Sequence, residues 1–149
     1  MTEAWLLDVN VLLAWLWPSH EAHRSAIGWM KNTPIDSWIT CPITEMGFLR
    51  IVTNPSYSPI APRWSEAVAL LNKQIEDDPR HRFLPDSLAV FSIDQRFGAR
   101  IQGPGQITDA YLLALAMHNR ARMVTFDYRI AAIAPEGSPE AESLLILRP

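Results

Sequence analysis

Residues 6–15 read "LLDVNVLLAW", an apolar run broken only by Asp8 and Asn10. Burying an unpaired carboxylate in such surroundings is costly, so the run reads as two buried elements joined where the acid stands. "AWLLDV" (4–9) is a buried strand, and "NVLLAWLW" (10–17) is a short buried helix that Pro18 stops, with Asn10 suited to cap it. A strand passing straight into a helix, with a carboxylate at the junction, is the first unit of an alternating α/β chain.

The pattern repeats downstream. "HEAHRSAIGWMK" (20–31) is an amphipathic helix with Ala22, Ala26, Ile27 and Met30 on its apolar side, "SWITC" (37–41) is a second strand, and Pro42 opens a helix through "ITEMGFLRIV". A proline-rich turn precedes the amphipathic helix "RWSEAVALLNKQIEDD" (63–78), and "HRFLP" (81–85) fits a short third strand. "SLAVFSIDQRF" (87–97) fits helix or strand, with helix favoured. After the loop "GPGQ", Thr108 caps the helix "DAYLLALAMHN", followed by the strand "RMVTFD" (122–127), a short helix "YRIAAI" and a last strand "SLLILR". Strands alternating with helices predict a three-layer α/β/α sandwich around a mostly parallel sheet, in one domain over residues 1–149.

Composition narrows the function classes. With 48% hydrophobic and 19% charged residues the chain is expected to be globular and soluble, and no apolar run reaches the roughly 20 residues of a membrane span. The N-terminus carries Glu3 and no basic segment, so a cytoplasmic rather than secreted protein is expected. Cys41 is the only cysteine, which excludes an intramolecular disulfide and the usual thiolate zinc site. A net charge of −3 does not advertise a polyanion partner. Arginines gather in loose groups, and Arg80, Arg82, Arg96 and Arg100 are candidates for phosphate contacts.

In an open parallel sheet, ligands bind at the carboxyl ends of the strands. Asp8 and Asp127 end two predicted strands, Glu45 lies in the first turn of the helix after another, and Asp109 begins its own helix behind Thr108. Each has an ordinary structural explanation: Asp8 helping to cap a helix, Asp109 gaining from the helix dipole, Asp127 capping "YRIAAI", Glu45 pairing with Arg50. Together they argue otherwise. Two carboxylates ~4 Å apart repel by roughly 4 kcal/mol at an effective dielectric near 20, so a cluster requires protonation or a cation. No histidine or cysteine accompanies these acids in their motifs, and a hard all-oxygen set suits Mg²⁺ or Mn²⁺, metals that commonly act on phosphate esters.

The stretches "LLDVNVLLAW", "ITEMGFLRIVTN", "ITDAYLLALA" and "MVTFDYRI" resemble the four acidic motifs of the PIN-domain ribonucleases, specifically the VapC-type toxins of toxin–antitoxin pairs. The similarity spans nearly the whole chain, including "SHEAHRSAIGWM". It implies a PIN-like fold in which Asp8, Glu45, Asp109 and Asp127 form the catalytic metal centre, supported by Asn10 and Thr125. It further implies a Mg²⁺- or Mn²⁺-dependent endoribonuclease that leaves 5′-phosphate and 3′-hydroxyl ends. Such a protein is expected to form a homodimer, to act on RNA and to be restrained by a cognate antitoxin.

Two rival classes fit the sequence less well. A phosphatase of the haloacid dehalogenase type needs a second aspartate where Asn10 stands and a downstream lysine, yet the only lysines are Lys31 and Lys73, on polar helix sides. Receiver domains fail for the same lack of a lysine. A non-catalytic binding module would use Trp15, Trp17, Trp29 and Trp64 as an apolar patch, although core packing explains most of them. His20 and His23 of "HEAH" lack a third ligand for zinc.

Overall fold

The apolar segment Ala4–Leu7 forms β1 and is buried at all four positions, as a strand covered on both faces must be. The computed structural model describes residues 3–149. From β1 the chain runs through α1 (Val9–Leu16) and α2 (His23–Asn32) to β2 (Ser37–Thr40), then α3 (Pro42–Val52), α4 (Trp64–Asp77) and β3 (His81–Phe83). The second half contributes α5 (Val90–Phe97), α6 (Ile107–His118), β4 (Arg122–Thr125), a 3₁₀ segment Tyr128–Ile133, α7 (Pro139–Glu142) and β5 (Leu144–Ile146).

All strand pairs are parallel, in the order β3-β2-β1-β4-β5. The chain first builds outward from β1 through β2 to β3, then returns to the other side of β1 for β4 and β5. The reversal places a topological switch point between β1 and β4, where the loops at the carboxyl ends diverge and leave a crevice.

Successive strand residues face opposite layers. Trp5 and Leu7 of β1, with Trp38 and Val124, pack against Val11, Leu12, Phe48, Val52 and Leu71. Leu6, Ile39 and Met123 pack the other face against Leu112, Leu113, Leu115 and Ile133. The expected three-layer α/β/α sandwich is what the chain forms, and "SLAVFSIDQRF" supplies the helix α5. No helix is long and apolar enough to cross a membrane among the described residues.

Several local expectations are corrected. Asp8, not Asn10, is the N-cap of α1, its side chain accepting from the Val9 amide; Asn10 lies inside the helix and reaches across to β4. Thr108 does not cap α6, which begins at Ile107 without a side-chain cap. The amphipathic helix starts at His23 rather than His20, and the "HEAH" histidines serve local geometry: His20 Nδ1 accepts from the Ala22 amide, and His23 Nδ1 lies 2.7 Å from the Ala14 carbonyl. The short helix α7 was not expected.

The tryptophans are mostly consumed in packing. Trp29 meets Trp5 edge-on at 5.2 Å, Trp15 meets Trp38 at 4.9 Å, and Trp17 joins the same core cluster. Trp64 is left 65% exposed, so the four do not make a shared apolar patch. One close approach bears on the crevice. A Cβ on Gly47 would sit 2.6 Å from Val9 Cγ2, so glycine at that position lets α3 press against the start of α1, next to Asp8.

Candidate functional site

At the end of β1, Asp8 is buried with 8% exposure. Its Oδ1 accepts from the Val9 amide at 2.7 Å, and its Oδ2 accepts from Thr125 Oγ1 at 2.7 Å and Asn10 Nδ2 at 3.4 Å. The Thr125 hydroxyl is fully used. Its one proton goes to Asp8, and its oxygen accepts from Asn10 Nδ2 at 3.1 Å and from the Asp127 amide at 3.0 Å. Asn10 Oδ1 in turn accepts from the Phe126 amide at 3.1 Å. This network ties α1 to the end of β4 and carries Asp8 into the switch point. Burial pushes the Asp8 carboxyl above its ordinary value, against the hydrogen bonds from Thr125 and Val9, and the charge of Asp127 adds to the rise.

Asp127 begins the 3₁₀ segment after β4. Its Oδ1 accepts from the Arg129 amide and from Nε, at 3.0 and 2.9 Å, while Oδ2 accepts from Nη2 at 2.8 Å. The Arg129 guanidinium holds its carboxyl below the usual range despite some burial. Asp109, in the first turn of α6, completes the group. Burial, then the charges of Asp8 and Asp127, push it up to about 6, with Arg129 acting the other way. Asp109, Asp127 and Arg129 line one cavity with Gly105 and Gln106, and Asp127 and Arg129 also border a second with Asn10 and Phe126.

Glu45 is held differently. In the first turn of α3, it accepts through Oε2 from Thr40 Oγ1 at 2.8 Å, not from Arg50 as its ordinary explanation required. Thr40 Oγ1 also lies 2.7 Å from His81 Nε2. Burial lowers the His81 pKa, against a smaller rise from Asp78.

The sheet edge therefore brings Asp8, Asp109 and Asp127 into one electrostatic group, supported by Asn10 and Thr125, with Glu45 anchored at the end of the neighbouring strand. Among the described residues no three acid, imidazole or thiol groups already stand at metal-ligating spacing. The chemistry nevertheless fits a hard divalent cation: the donors are carboxylate oxygens, and Asp109 is pushed to about 6 by burial first and then by the charges of Asp8 and Asp127, with Arg129 acting against them.

The arginines fall elsewhere. Arg80 is chelated by Asp78 through Nε at 3.0 Å and Nη2 at 2.8 Å. Arg96 and Arg100 each approach the buried Glu140 at 3.3 Å, fastening the α5 region to α7. Arg82 is exposed. Among the described residues no ion pair or hydrogen bond joins any of these four to Asp8, Glu45, Asp109 or Asp127. The guanidinium that does face the acids is Arg129, which sequence reasoning passed over. Its signal was its place two residues beyond Asp127, in the first turn of the following segment. Thr40 was missed too, although it ends β2 as Thr125 ends β4.

A family profile described as "PIN domain" matches residues 5–135. Ribonuclease VapC38 of Mycobacterium tuberculosis (strain ATCC 25618 / H37Rv) is 37% identical over 142 residues, covering 95% of this chain and 98% of that protein. Ribonuclease VapC44 of the same strain is 39% identical over 134 residues, covering 89% and 92%. Among solved structures, M. tuberculosis VapC20, described as a sarcin-ricin loop cleaving toxin, superposes with a TM-score of 0.60 at 14% identity over 97% of this chain and 99% of that one. VapBC2 from Rickettsia felis, bound to a DNA fragment from their promoter, gives 0.60 at 14% identity over 97% and 98%. The two structures share the fold, and the sequence relatives match most of its length; neither the phosphatase nor the binding-module alternative is favoured. With its parallel sheet, its carboxylates at the switch point and a profile match over most of its length, the chain belongs to the PIN-domain family.

Proposed function

We propose that this protein is a Mg²⁺- or Mn²⁺-dependent endoribonuclease and the toxin of a toxin–antitoxin pair, with Asp8, Glu45, Asp109 and Asp127 as its metal-binding and catalytic acids. The observation that carries the reading is the convergence of Asp8, Asp109 and Asp127 at the switch point, with Asp109 pushed up to about 6 by burial and by the other two. The ribonuclease names of VapC38 and VapC44 support the activity, and the VapBC2 assembly supports an antitoxin partner. A homodimer and a cytoplasmic setting belong to the same reading.

When bound, the cation would supply Lewis-acid charge for hydrolysis of an RNA phosphodiester. The chain's own groups set the stage. Thr125 and Asn10 hold Asp8 at the end of β1, and the 3₁₀ turn fixes Asp127 opposite. Asp109 enters from the start of α6, so three elements supply negative charge to one point. Arg129 stands at the rim with its side chain 79% exposed, placed to meet a backbone phosphate. In the net reaction water adds to phosphorus and the bond to the 3′ oxygen breaks, leaving a 5′-phosphate and a 3′-hydroxyl. Arg80, Arg82, Arg96 and Arg100 remain proposed contacts for the flanking RNA, although ion pairs already engage Arg80, Arg96 and Arg100.

The test uses total cellular RNA incubated with antitoxin-free protein and Mg²⁺ or Mn²⁺, followed by sequencing of the new ends. Discrete metal-dependent cuts carrying 5′-phosphates, absent with EDTA and with Asp8→Asn, are the expected result. Identical ends from wild type and Asp8→Asn would remove the acid cluster from the reaction.

A further inference from the structure

Thr40 and Thr125 are the last residues of β2 and β4, both fully buried. Each hydroxyl lies against a carboxylate, Glu45 at 2.8 Å and Asp8 at 2.7 Å. A hydroxyl owns one proton and can accept at its oxygen, whereas an ionised carboxylate only accepts. At Thr125 the proton is committed to Asp8, and the oxygen accepts from an amide side chain and a backbone amide. At Thr40 the second partner is a ring nitrogen, His81 Nε2, at 2.7 Å.

That geometry decides the ring's protonation at Nε2. With the Thr40 proton given to Glu45, a bare Nε2 would set two lone pairs against each other at 2.7 Å. Nε2 must carry hydrogen, and the chain of donors runs from His81 Nε2–H to Thr40 Oγ1–H to Glu45 Oε2. Its direction is the same for a neutral or a protonated ring. The ring is held in place from behind: its centroid lies 4.5 Å from that of Trp38, which is braced by Trp15 of α1 at 4.9 Å. The His81 amide is fixed to the Asp78 carbonyl at 3.1 Å.

We propose that His81 is a positioning residue of the nuclease centre, orienting the Thr40 hydroxyl so that Glu45 is held through Oε2 and presents Oε1 to a divalent cation. The proposal rests on the reading of Glu45 as one of the metal-binding acids. Among the described residues no hydrogen bond reaches Glu45 Oε1, so that oxygen is free for the role. A buried hydrogen-bonded support behind a carboxylate ligand is a common way to fix its orientation. The alternative is a histidine that merely packs against Trp38, and the two differ in what they predict for metal binding.

The experiment measures Mn²⁺ affinity of the full chain by electron paramagnetic resonance, together with the ¹⁵N tautomer signature of His81 in metal-free protein. Expected are an Nε2–H ring and a roughly tenfold loss of Mn²⁺ affinity in His81→Leu and in Thr40→Val. The double variant should be no weaker than Thr40→Val alone, because both act through one chain of hydrogen bonds. His81→Gln, which returns an N–H donor near the Nε2 position, and Thr40→Ser should bind nearly as wild type. These two also keep the test decisive if Thr40→Val does not fold. A bare Nε2, or His81→Leu binding Mn²⁺ like wild type, or His81→Gln no better than His81→Leu, overturns the proposal. Glu45→Gln separates the two levels. If it weakens Mn²⁺ binding while His81→Leu does not, only the role of His81 falls. If Glu45→Gln binds like wild type, or wild type binds no Mn²⁺, the reading of Glu45 falls and the role of His81 with it.

Discussion

Asp8 and Asp127 stand at the ends of neighbouring strands, β1 and β4, yet their carboxyls are perturbed in opposite directions. Asp8 is buried and receives only neutral donors: a backbone amide, a hydroxyl and a side-chain amide. Asp127 is partly open and gripped by the guanidinium of Arg129. Neutral donors in a buried corner reduce the cost of a charge without cancelling it, while a cation at the rim cancels it but is shared with solvent. The crevice thus has a fixed inner wall with surplus negative charge and an adjustable outer one. Asp109 lies between and registers both, raised by Asp8 and Asp127 and lowered by Arg129.

The largest expected effect comes from breaking the inner wall. Thr125→Val keeps the shape and removes the one hydroxyl proton given to Asp8, leaving a buried carboxylate oxygen short of a donor. Unfolding by urea should show a loss of about 1.5–3 kcal/mol, the range for hydrogen bonds to charged groups. Thr125→Ser should stay close to wild type. In an Asp8→Asn background the same Thr125→Val change should cost only about 1 kcal/mol, as for a neutral pair. Equal losses in the two backgrounds would mean that the charge on Asp8 does not govern this corner.

A smaller effect follows from Asp109. Its folded-state pKa is raised from 3.8 to about 6, so the folded protein binds a proton more tightly than the unfolded chain there. The corresponding stabilisation is full below the unfolded value and is lost as the pH rises through about 6. The metal-free protein should therefore lose thermal stability across that window, and Asp109→Asn should flatten the slope. The difference between the two melting curves isolates Asp109 from Asp8, which is raised likewise. Added Mn²⁺ should remove most of the difference by offsetting the charge. A wild type and an Asp109→Asn variant with parallel pH profiles would show that the three aspartates do not share one field.

How far this contrast could be read in advance depends on the range of the contacts. Asp8 announced itself because a carboxylate interrupts an apolar run, and the alternation of strands and helices carried the sandwich and placed the acids on one edge. Asp8 and Asn10 both favour N-caps, so sequence alone does not separate them as the cap of α1; only the nearness of β4 shows that Asn10 is needed for Thr125 and Phe126, 115 and 116 residues away. The Thr40–His81 contact spans 41 positions and leaves no periodicity. Arg96 reads as available in the sequence, yet Glu140, 44 residues on, lies beside it in the fold. Signals set by local burial were legible, whereas those set by which partner arrives from elsewhere were not.

The smallest expected effect lies at the outer wall. Arg129 is exposed, and a solvent-screened pair with a residue two positions away adds little to folding, so Arg129→Ala should leave the urea midpoint at neutral pH nearly unmoved. Its effect should appear in the titration of Asp127 instead. In wild type the carboxyl is depressed, chiefly by the Arg129 hydrogen bond, a contribution present above the unfolded value and lost as the pH falls through the folded one. Following the Asp127 carboxyl carbon by NMR, the midpoint should move up toward the ordinary aspartate value in Arg129→Ala. The wild-type midpoint should itself climb with salt as screening grows, while that of the variant responds less. If removing Arg129 left the Asp127 midpoint in place, the depression would come from the backbone turn alone, and the two walls would differ in exposure rather than in charge.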